Sequence, residues 1–336
     1  MKKEALLYER LEHRKVHCFL CAHNCQIENE KFGFCGVRKN EDGVLYSYVY
    51  GEIIASGVDP IEKKPLYHFF PGESSYSIAT AGCNFKCGFC QNWQISQASI
   101  GKSSIDTIKM LPEDIVDKAR ESGAKSIAYT YTEPTVFFEY AYDIAKIAKD
   151  AGLYNVFVTN GYMSRKAIEM IAPFLDAANI DLKSFREDFY IKNCKAHLEP
   201  VLNAIRVMRE NNIWIELTTL IIPGENDSKQ ELVDIAEFIA GVGKDIPWHI
   251  SRFHPDFQFS GYDETSIEVL KKAEQIGKKA GLQYVYLGNI LENSNTYCYK
   301  CGELLIERMC FDIKKNKIDN GKCFACGTLM DGVFVE

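Results

Sequence analysis

The chain predicts an α/β fold built on a parallel sheet, and two observations carry that prediction. Short apolar runs alternate with longer amphipathic stretches through the middle of the sequence, the pattern of βαβ units. Those runs also end, one after another, in polar residues. A parallel sheet gathers its ligands at the carboxyl ends of its strands. The strand-like runs fall at 75–80, 126–131, 154–159, 177–182, 213–222, 248–253 and 283–287. The helical stretches include 111–122, 136–151, 164–174, 229–241 and 265–279. About six or seven βα units fit, one or two short of a closed eight-fold barrel. Cysteine clusters bracket this region and suggest three parts: a cysteine-rich module over 1–70, the sheet over 71–290, and a knuckled module over 291–336.

Composition narrows the function classes. The chain has 336 residues, 46% hydrophobic and 25% charged, as in ordinary globular proteins. A net charge of -7 and the lack of a basic stripe argue against a nucleic-acid partner. The start, Met1 to Arg10, is charged and lacks the apolar core of a signal peptide, and no apolar run reaches membrane-span length. The protein therefore reads as cytoplasmic. There, thirteen cysteines are expected as metal ligands or catalytic groups, not disulfides.

Eleven of them form three groups, leaving Cys194 and Cys310 as small buried hydrophobes. Cys83, Cys87 and Cys90 follow the run at 75–80 in the spacing C-x3-C-x2-C. A [4Fe–4S] cube ordinarily takes four thiolates, so three leave one iron open to a chelating co-substrate. A structural metal site is closed instead. Cys298, Cys301, Cys323 and Cys326 make two C-x2-C knuckles, each followed by glycine. Four thiolates suit tetrahedral zinc or rubredoxin-like iron, with structural zinc preferred. Cys18, Cys21, Cys25 and Cys35 lie near the start, with His17 and His23 as spare ligands. Zinc is preferred there because four ligands close a tetrahedral site on a short segment. An auxiliary [4Fe–4S] cluster is the alternative.

The motif Cys83-Asn84-Phe85-Lys86-Cys87-Gly88-Phe89-Cys90, with aromatic Phe89 before the last cysteine, resembles that of the radical S-adenosylmethionine (SAM) superfamily. The resemblance implies a partial (β/α)6 barrel, a [4Fe–4S] cluster, and reductive cleavage of SAM to methionine and a 5′-deoxyadenosyl radical. It also implies roles for the strand ends. Tyr131-Thr132-Glu133-Pro134 looks like the family's Gly-Gly-Glu-Pro, which places Thr132 and Glu133 by the SAM ammonium, although both glycines are replaced. Charging the first turn of the next helix is the alternative role for Glu133, with ligand contact preferred at this sequence position. Thr159-Asn160-Gly161 and Asp181-Leu182-Lys183 resemble segments of glycyl-radical-enzyme activases, which makes Thr159, Asn160, Asp181 and Lys183 SAM contacts. Phe89 and Asn92 belong to the same expected set.

Glu216 stands inside an apolar run and should point into the barrel, since an unpaired buried carboxylate is costly. At 248–253, period two puts His249, Ser251 and Phe253 on one face and Ile250, Arg252 and His254 on the other. His249 and Arg252 are the catalytic candidates there. The segments 59–69, 90–97, 248–253 and 284–289, with the terminal knuckles, are similar to the radical SAM member of the AmmeMemoRadiSam system, related to pyruvate formate-lyase-activating enzyme. That similarity implies Ammecr-like and Memo-like partners and an external one-electron donor such as ferredoxin or flavodoxin. A glycyl-radical-enzyme activase is the alternative enzyme. An iron–sulfur and zinc-knuckle protein for electron transfer or nucleic-acid binding is the alternative from another class.

Overall fold

The computed structural model describes residues 1–98, 106–291 and 293–334. Its centre is one eight-stranded sheet. Strand β1 (Ala55–Pro60) pairs antiparallel with β2 (Ser74–Ala79). Beyond β2 follow β3 (Ser126–Tyr129), β4 (Tyr154–Thr159), β5 (Ala177–Asp181), β6 (Trp214–Ile221), β7 (Trp248–Arg252) and β8 (Val285–Gly288), all parallel and in chain order. The edge strands β1 and β8 are not neighbours, so the barrel is open.

Six helices connect the parallel strands: α1 (Pro112–Glu121), α2 (Phe138–Asp150), α3 (Arg165–Ile171), α4 (Leu198–Glu210), α5 (Lys229–Val242) and α6 (Ile267–Lys279). Local chemistry sets where they begin. Pro112 stands at the first helical position of α1, where its missing N–H costs nothing. Ser164, Ser228 and Ser266 cap α3, α5 and α6, accepting from the N–H of Ala167, Glu231 and Val269. Each helix buries an apolar stripe, Ile115, Val116 and Ala119 in α1 for example, against the outer face of the sheet.

Seven strands and five helices fall where the sequence runs predict them. Two elements were not anticipated. Helix α4 carries Pro200 in its first turn and follows the single π-type turn Tyr190–Cys194, which breaks the periodicity upstream. Strand β1 holds Gly57 and ends in Pro60, a composition that reads as loop and is tolerated because this strand lies on the sheet edge.

The ends of the chain pack on this centre. Small antiparallel sheets near the start place Val16, Val37, Leu45 and Val49 in the same apolar cluster as the sheet and its helices. The C-terminal strands Thr296–Tyr297, Leu304–Met309 and Asp312–Asn316 form another, whose Leu305 and Ile306 pack with Tyr67, Tyr284 and Tyr286.

The segment after β1 passes under the amino-terminal ends of the strands and makes the barrel floor. Glu216, fully buried on β6, holds it by accepting from the backbone N–H of Tyr67 (2.9 Å) and His68 (2.8 Å), from Trp214 Nε1 (3.1 Å) and from His249 Nε2 (2.7 Å). Burial alone would raise the Glu216 carboxyl, but His249, His68 and the Tyr67 amide hold it below its ordinary value. From Arg308 of the C-terminal module, Nη2 donates to Tyr67 O (2.8 Å) and Nη1 to Thr296 Oγ1 (2.6 Å). His68 sits between Asp331 O (2.7 Å) and the Tyr286 hydroxyl (2.6 Å).

Burial pushes the His68 imidazole down to about 4. The unfolded chain binds that proton near pH 6.5 and the folded one only near 4, so folding weakens as pH falls through this window. Denaturant titrations between pH 7 and 4 are expected to show the wild type losing up to about 3 kcal/mol relative to His68→Gln. Parallel profiles for the two proteins would refute the assignment.

Candidate active site

At the opposite, carboxyl-terminal end of the strands lies a cavity of about 580 Å³. Val158 and Thr159 of β4, Asp181 of β5, Thr218 and Leu220 of β6 and Ser251 of β7 all line it, so the sheet wraps around it. Its lid side is the loop after β2, which presents Cys83, Cys87 and Cys90. Steric contact fixes that loop. Gly82 has φ +95°, and a Cβ there would lie 2.5 Å from Val37 Cγ1 and 3.3 Å from Cys35 O. Only glycine fits so close an approach. Further on, Lys86 N donates to Cys194 O (2.9 Å), Gly88 N to Asn193 O (3.2 Å) and Gln258 N to Gly88 O (3.0 Å). Phe85 and Phe89 are buried beneath the loop.

The donor set suits a cluster. Phe85 N–H donates to Cys83 Sγ (3.3 Å), and Ser96 Oγ lies 3.2 Å from Cys90 Sγ. Burial pushes the Cys83 and Cys90 thiols up, and the neighbouring Cys194 thiol together with burial does so for Cys87. These thiols ionise only against a cation. Among the described residues they are not drawn within 4.8 Å of one another, the range in which ligands could share a single ion. Three thiols facing one cavity at wider separation fit a multi-iron centre.

Glu133 joins the strand ends. It caps the 3-10 turn Pro134–Phe137, accepting from Thr135 N (3.0 Å), Thr135 Oγ1, Thr159 Oγ1 (2.8 Å) and Asn160 N (2.8 Å). The capping role left open by the sequence is therefore filled, and the carboxylate also lines the cavity. Asn160 Nδ2 in turn donates to Asn84 Oδ1 (2.7 Å) and lies 3.8 Å from Cys83 Sγ. Lys183 Nζ pairs with Asp181 Oδ2 at 2.8 Å on one face of the strand end, and Asn92 Nδ2 donates to Tyr131 O (2.9 Å). Thr132 donates to Thr80 O (2.9 Å). Phe89, Asn92, Thr132, Glu133, Thr159, Asn160, Asp181 and Lys183 thus all border the cavity that the cysteines face.

Three of the expected residues do not. Glu216 and His249 are engaged with each other at the floor and are absent from the cavity wall. The alternation on β7 explains this: Ser251 reaches the cavity, and His249, two residues earlier on the same face, lies deeper. Arg252 turns the other way, to Thr265 O (2.8 Å) and Glu264 (2.8 Å), where His254 also pairs with Glu264.

The cavity holds residues that sequence reasoning passed over. Lys63, Lys64 and Tyr131 line it. Lys64 Nζ is 2.6 Å from Asp59 Oδ2 and 4.6 Å from the centre of the Tyr131 ring, whose hydroxyl donates to Asp59. The signal was the paired lysine in 59–69 and the aromatic that replaces a glycine before Thr132.

The two cysteine quartets differ in geometry. Cys298, Cys301, Cys323 and Cys326 bring their sulfurs within 4.8 Å, with Cys298–Cys326 and Cys301–Cys323 both at 3.7 Å. Gly302 and Gly327, at φ +76° and +71°, close the knuckle turns. A Zn–S bond of about 2.3 Å puts tetrahedral thiolates about 3.8 Å apart, so one tetrahedral ion fits. Cys18, Cys21, Cys25 and Cys35 surround a second, apolar cavity with His23, Arg38 and Asn84. Among the described residues they do not gather within 4.8 Å of one another as the C-terminal four do.

Fold and site together place three thiols, a donor set that would suit a multi-iron centre, at the strand ends of an open parallel barrel. A family model described as the radical SAM superfamily matches residues 77–239. Over those residues the chain resembles that superfamily. It is 43% identical to an uncharacterized protein of Methanocaldococcus jannaschii over 98% of this chain and 99% of that one. A second protein of that organism, named as a glycyl-radical enzyme activating enzyme, is 27% identical over 64% of this chain and 78% of its own. Among solved structures, a radical SAM methyltransferase from Sphaerobacter thermophilus matches with a TM-score of 0.52 at 18% identity, covering 70% of this chain and 71% of that one. This last likeness is one of fold.

Glu133→Ala is expected to leave its four donors without an acceptor and release Asn160 from the cysteine loop. Denaturation should show a loss of about 3 kcal/mol, and iron content after anaerobic reconstitution should fall. Unchanged stability and iron content would refute the tie described here.

Proposed function

We propose that this protein cleaves SAM reductively and uses the resulting radical on a substrate of its own. The observation that carries the reading is the convergence of Cys83, Cys87 and Cys90 with Thr159, Asn160, Asp181 and Lys183 on one cavity. The three cysteines would hold a [4Fe–4S] cluster with one iron open to SAM. With the cluster bound, one electron breaks the sulfonium carbon–sulfur bond of SAM, giving methionine and a 5′-deoxyadenosyl radical. The protein's residues bind and orient. Asp181 and Lys183, paired on one face, offer an acceptor and a cation for the ribose and carboxylate of SAM. Asn160 fixes the cysteine loop against the β4 end, and the sheet and floor segment shield the radical from water. Lys63, Lys64 and Tyr131 make the wall left for substrate.

The electron would come from a ferredoxin- or flavodoxin-like donor in the cytoplasm. The segment likenesses support membership in the AmmeMemoRadiSam system, with Ammecr-like and Memo-like proteins as partners. An oxidoreductase-type outcome is proposed on the same footing.

The test is anaerobic incubation with SAM and a strong reductant. Replacing Cys83, Cys87 and Cys90 together by Ala should abolish 5′-deoxyadenosine formation, and undiminished formation would overturn the proposal. A second reading, activation of a glycyl-radical enzyme, is favoured by the relative that bears that name. A glycyl doublet in the paramagnetic resonance spectrum of a co-incubated partner would establish it. A plain electron carrier would not bind SAM, so equilibrium binding separates that class.

The C-terminal quartet is proposed to bind structural zinc. Cys301→Ser is expected to cost one zinc per chain by elemental analysis while leaving the iron content unchanged. Retention of all zinc would refute the site.

A further inference from the structure

The four N-terminal thiols surround a common cavity without gathering to within 4.8 Å of one another. Among the described residues only Cys298, Cys301, Cys323 and Cys326 come within 4.8 Å of one another, and their 3.7 Å contacts match a tetrahedral zinc. Cys18, Cys21, Cys25 and Cys35 line an apolar cavity walled by Leu20, Ile27 and Phe34. Thiols spread around a space are the arrangement that a cube with metal at its corners requires.

Two buried polar groups at this cavity lack partners. Arg38, 2% exposed, gives its terminal nitrogens to Glu139 (2.5 Å and 3.1 Å) and Leu6 O (3.2 Å), but its Nε has none. Asn84, 1% exposed, accepts from Asn160, yet its own Nδ2 donates to nothing. Both residues line the cavity. Unpaired buried donors are costly, and a four-thiolate centre is an anion that such donors would face.

The same cavity abuts the catalytic loop. Gly82 packs against Cys35 and Val37, His23 Nε2 lies 2.6 Å from Asn84 O, and Asn84 directly follows Cys83. On the other side, Ala22 N donates to Tyr162 O (3.1 Å) and Ser164 N to Leu20 O (3.0 Å), docking the Cys21 turn on the loop after β4.

We infer that Cys18, Cys21, Cys25 and Cys35 hold a second [4Fe–4S] cluster, closed by four thiolates, which relays electrons to the cluster at Cys83, Cys87 and Cys90. A closed cube has no free iron for SAM or substrate, which leaves outer-sphere electron transfer. One electron from an external reductant of the ferredoxin or flavodoxin class would reduce it. Passing that electron to the catalytic centre reoxidises it, and no proton or bond is exchanged. The cluster itself does not depend on which substrate is used.

The experiment is iron, sulfide and zinc analysis of the anaerobically reconstituted full chain, with paramagnetic resonance after reduction. About eight irons and eight sulfides are expected, with zinc confined to the C-terminal quartet. About four irons with two zincs would overturn the inference, and so would about four irons with one. The Cys83/Cys87/Cys90→Ala variant should keep about four irons and a reduced-cluster signal that SAM does not alter. Cys18→Ala with Cys35→Ala should keep about four irons and a signal that SAM shifts. If either variant fails to fold, the wild-type count still decides. Eight irons in a protein that does not bind SAM would defeat the proposed function and leave this inference standing.

Discussion

One buried carboxylate ties the working end of this molecule together. Glu133 has no solvent to compensate it, so its charge is stable only while Thr135, Thr159 and Asn160 all donate to it. That requirement fixes the end of β3 against the end of β4. Asn160, once placed, reaches Asn84 and Cys83 and so sets the height of the cysteine loop above the sheet. The position of the cysteine loop thus follows from satisfying a single acceptor at the end of the neighbouring strand.

The opposite end obeys the same rule with different partners. Glu216 and His249 pair in the interior and draw the backbone of Tyr67 and His68 against the strands. Arg308 then docks the C-terminal module on the carbonyl of Tyr67. A buried ion pair is weak evidence of stability but strong evidence of a unique arrangement to be satisfied. Here the arrangement positions Lys63 and Lys64 in the cavity, because both precede the clamped segment by only a few residues. The floor therefore shapes the site even though none of its clamping carboxylate or imidazole groups borders it.

Sequence patterning disclosed the fold because parallel strands buried on both faces leave long apolar runs, and serines or proline mark the helix starts. It disclosed the strand-end residues because period two and the order of the strands place them together without knowledge of tertiary contacts. It placed Glu216 inside the barrel but gave no depth for Glu216 or His249, since alternation says which residues share a face and not how deep each lies. It failed at Arg252 because Glu264, which captures it, comes from a loop with no periodic signal. The spacing of Cys18, Cys21, Cys25 and Cys35 could not report their separation either. Antiparallel pairing sets Cys18 opposite Cys25, while Cys21 lies between those two strands and Cys35 comes from a later turn, an arrangement that residue counts do not contain.

The departure at Tyr131 shows how a family scaffold is made specific. A glycine at this turn would meet its left-handed conformation without strain, yet tyrosine adopts φ +61° there. A bulky residue holds that conformation only when its surroundings outweigh the cost, about 1–2 kcal/mol. They do so through Asp59, which accepts the tyrosine hydroxyl along with Lys63 Nζ and Lys64 Nζ, and through the Lys64 ammonium over the ring. Those contacts keep Asp59 ionised well below the usual carboxylate range despite its burial. The backbone at the strand end can then still accept from Asn92, while the side chain turns what would be open space into wall. An aromatic face and two ammonium groups consequently border the cavity that the cysteines also line. Within that wall Lys64 is buried and Lys63 stays exposed, and both answer the one Asp59 carboxylate, so the buried charge is compensated before any ligand enters.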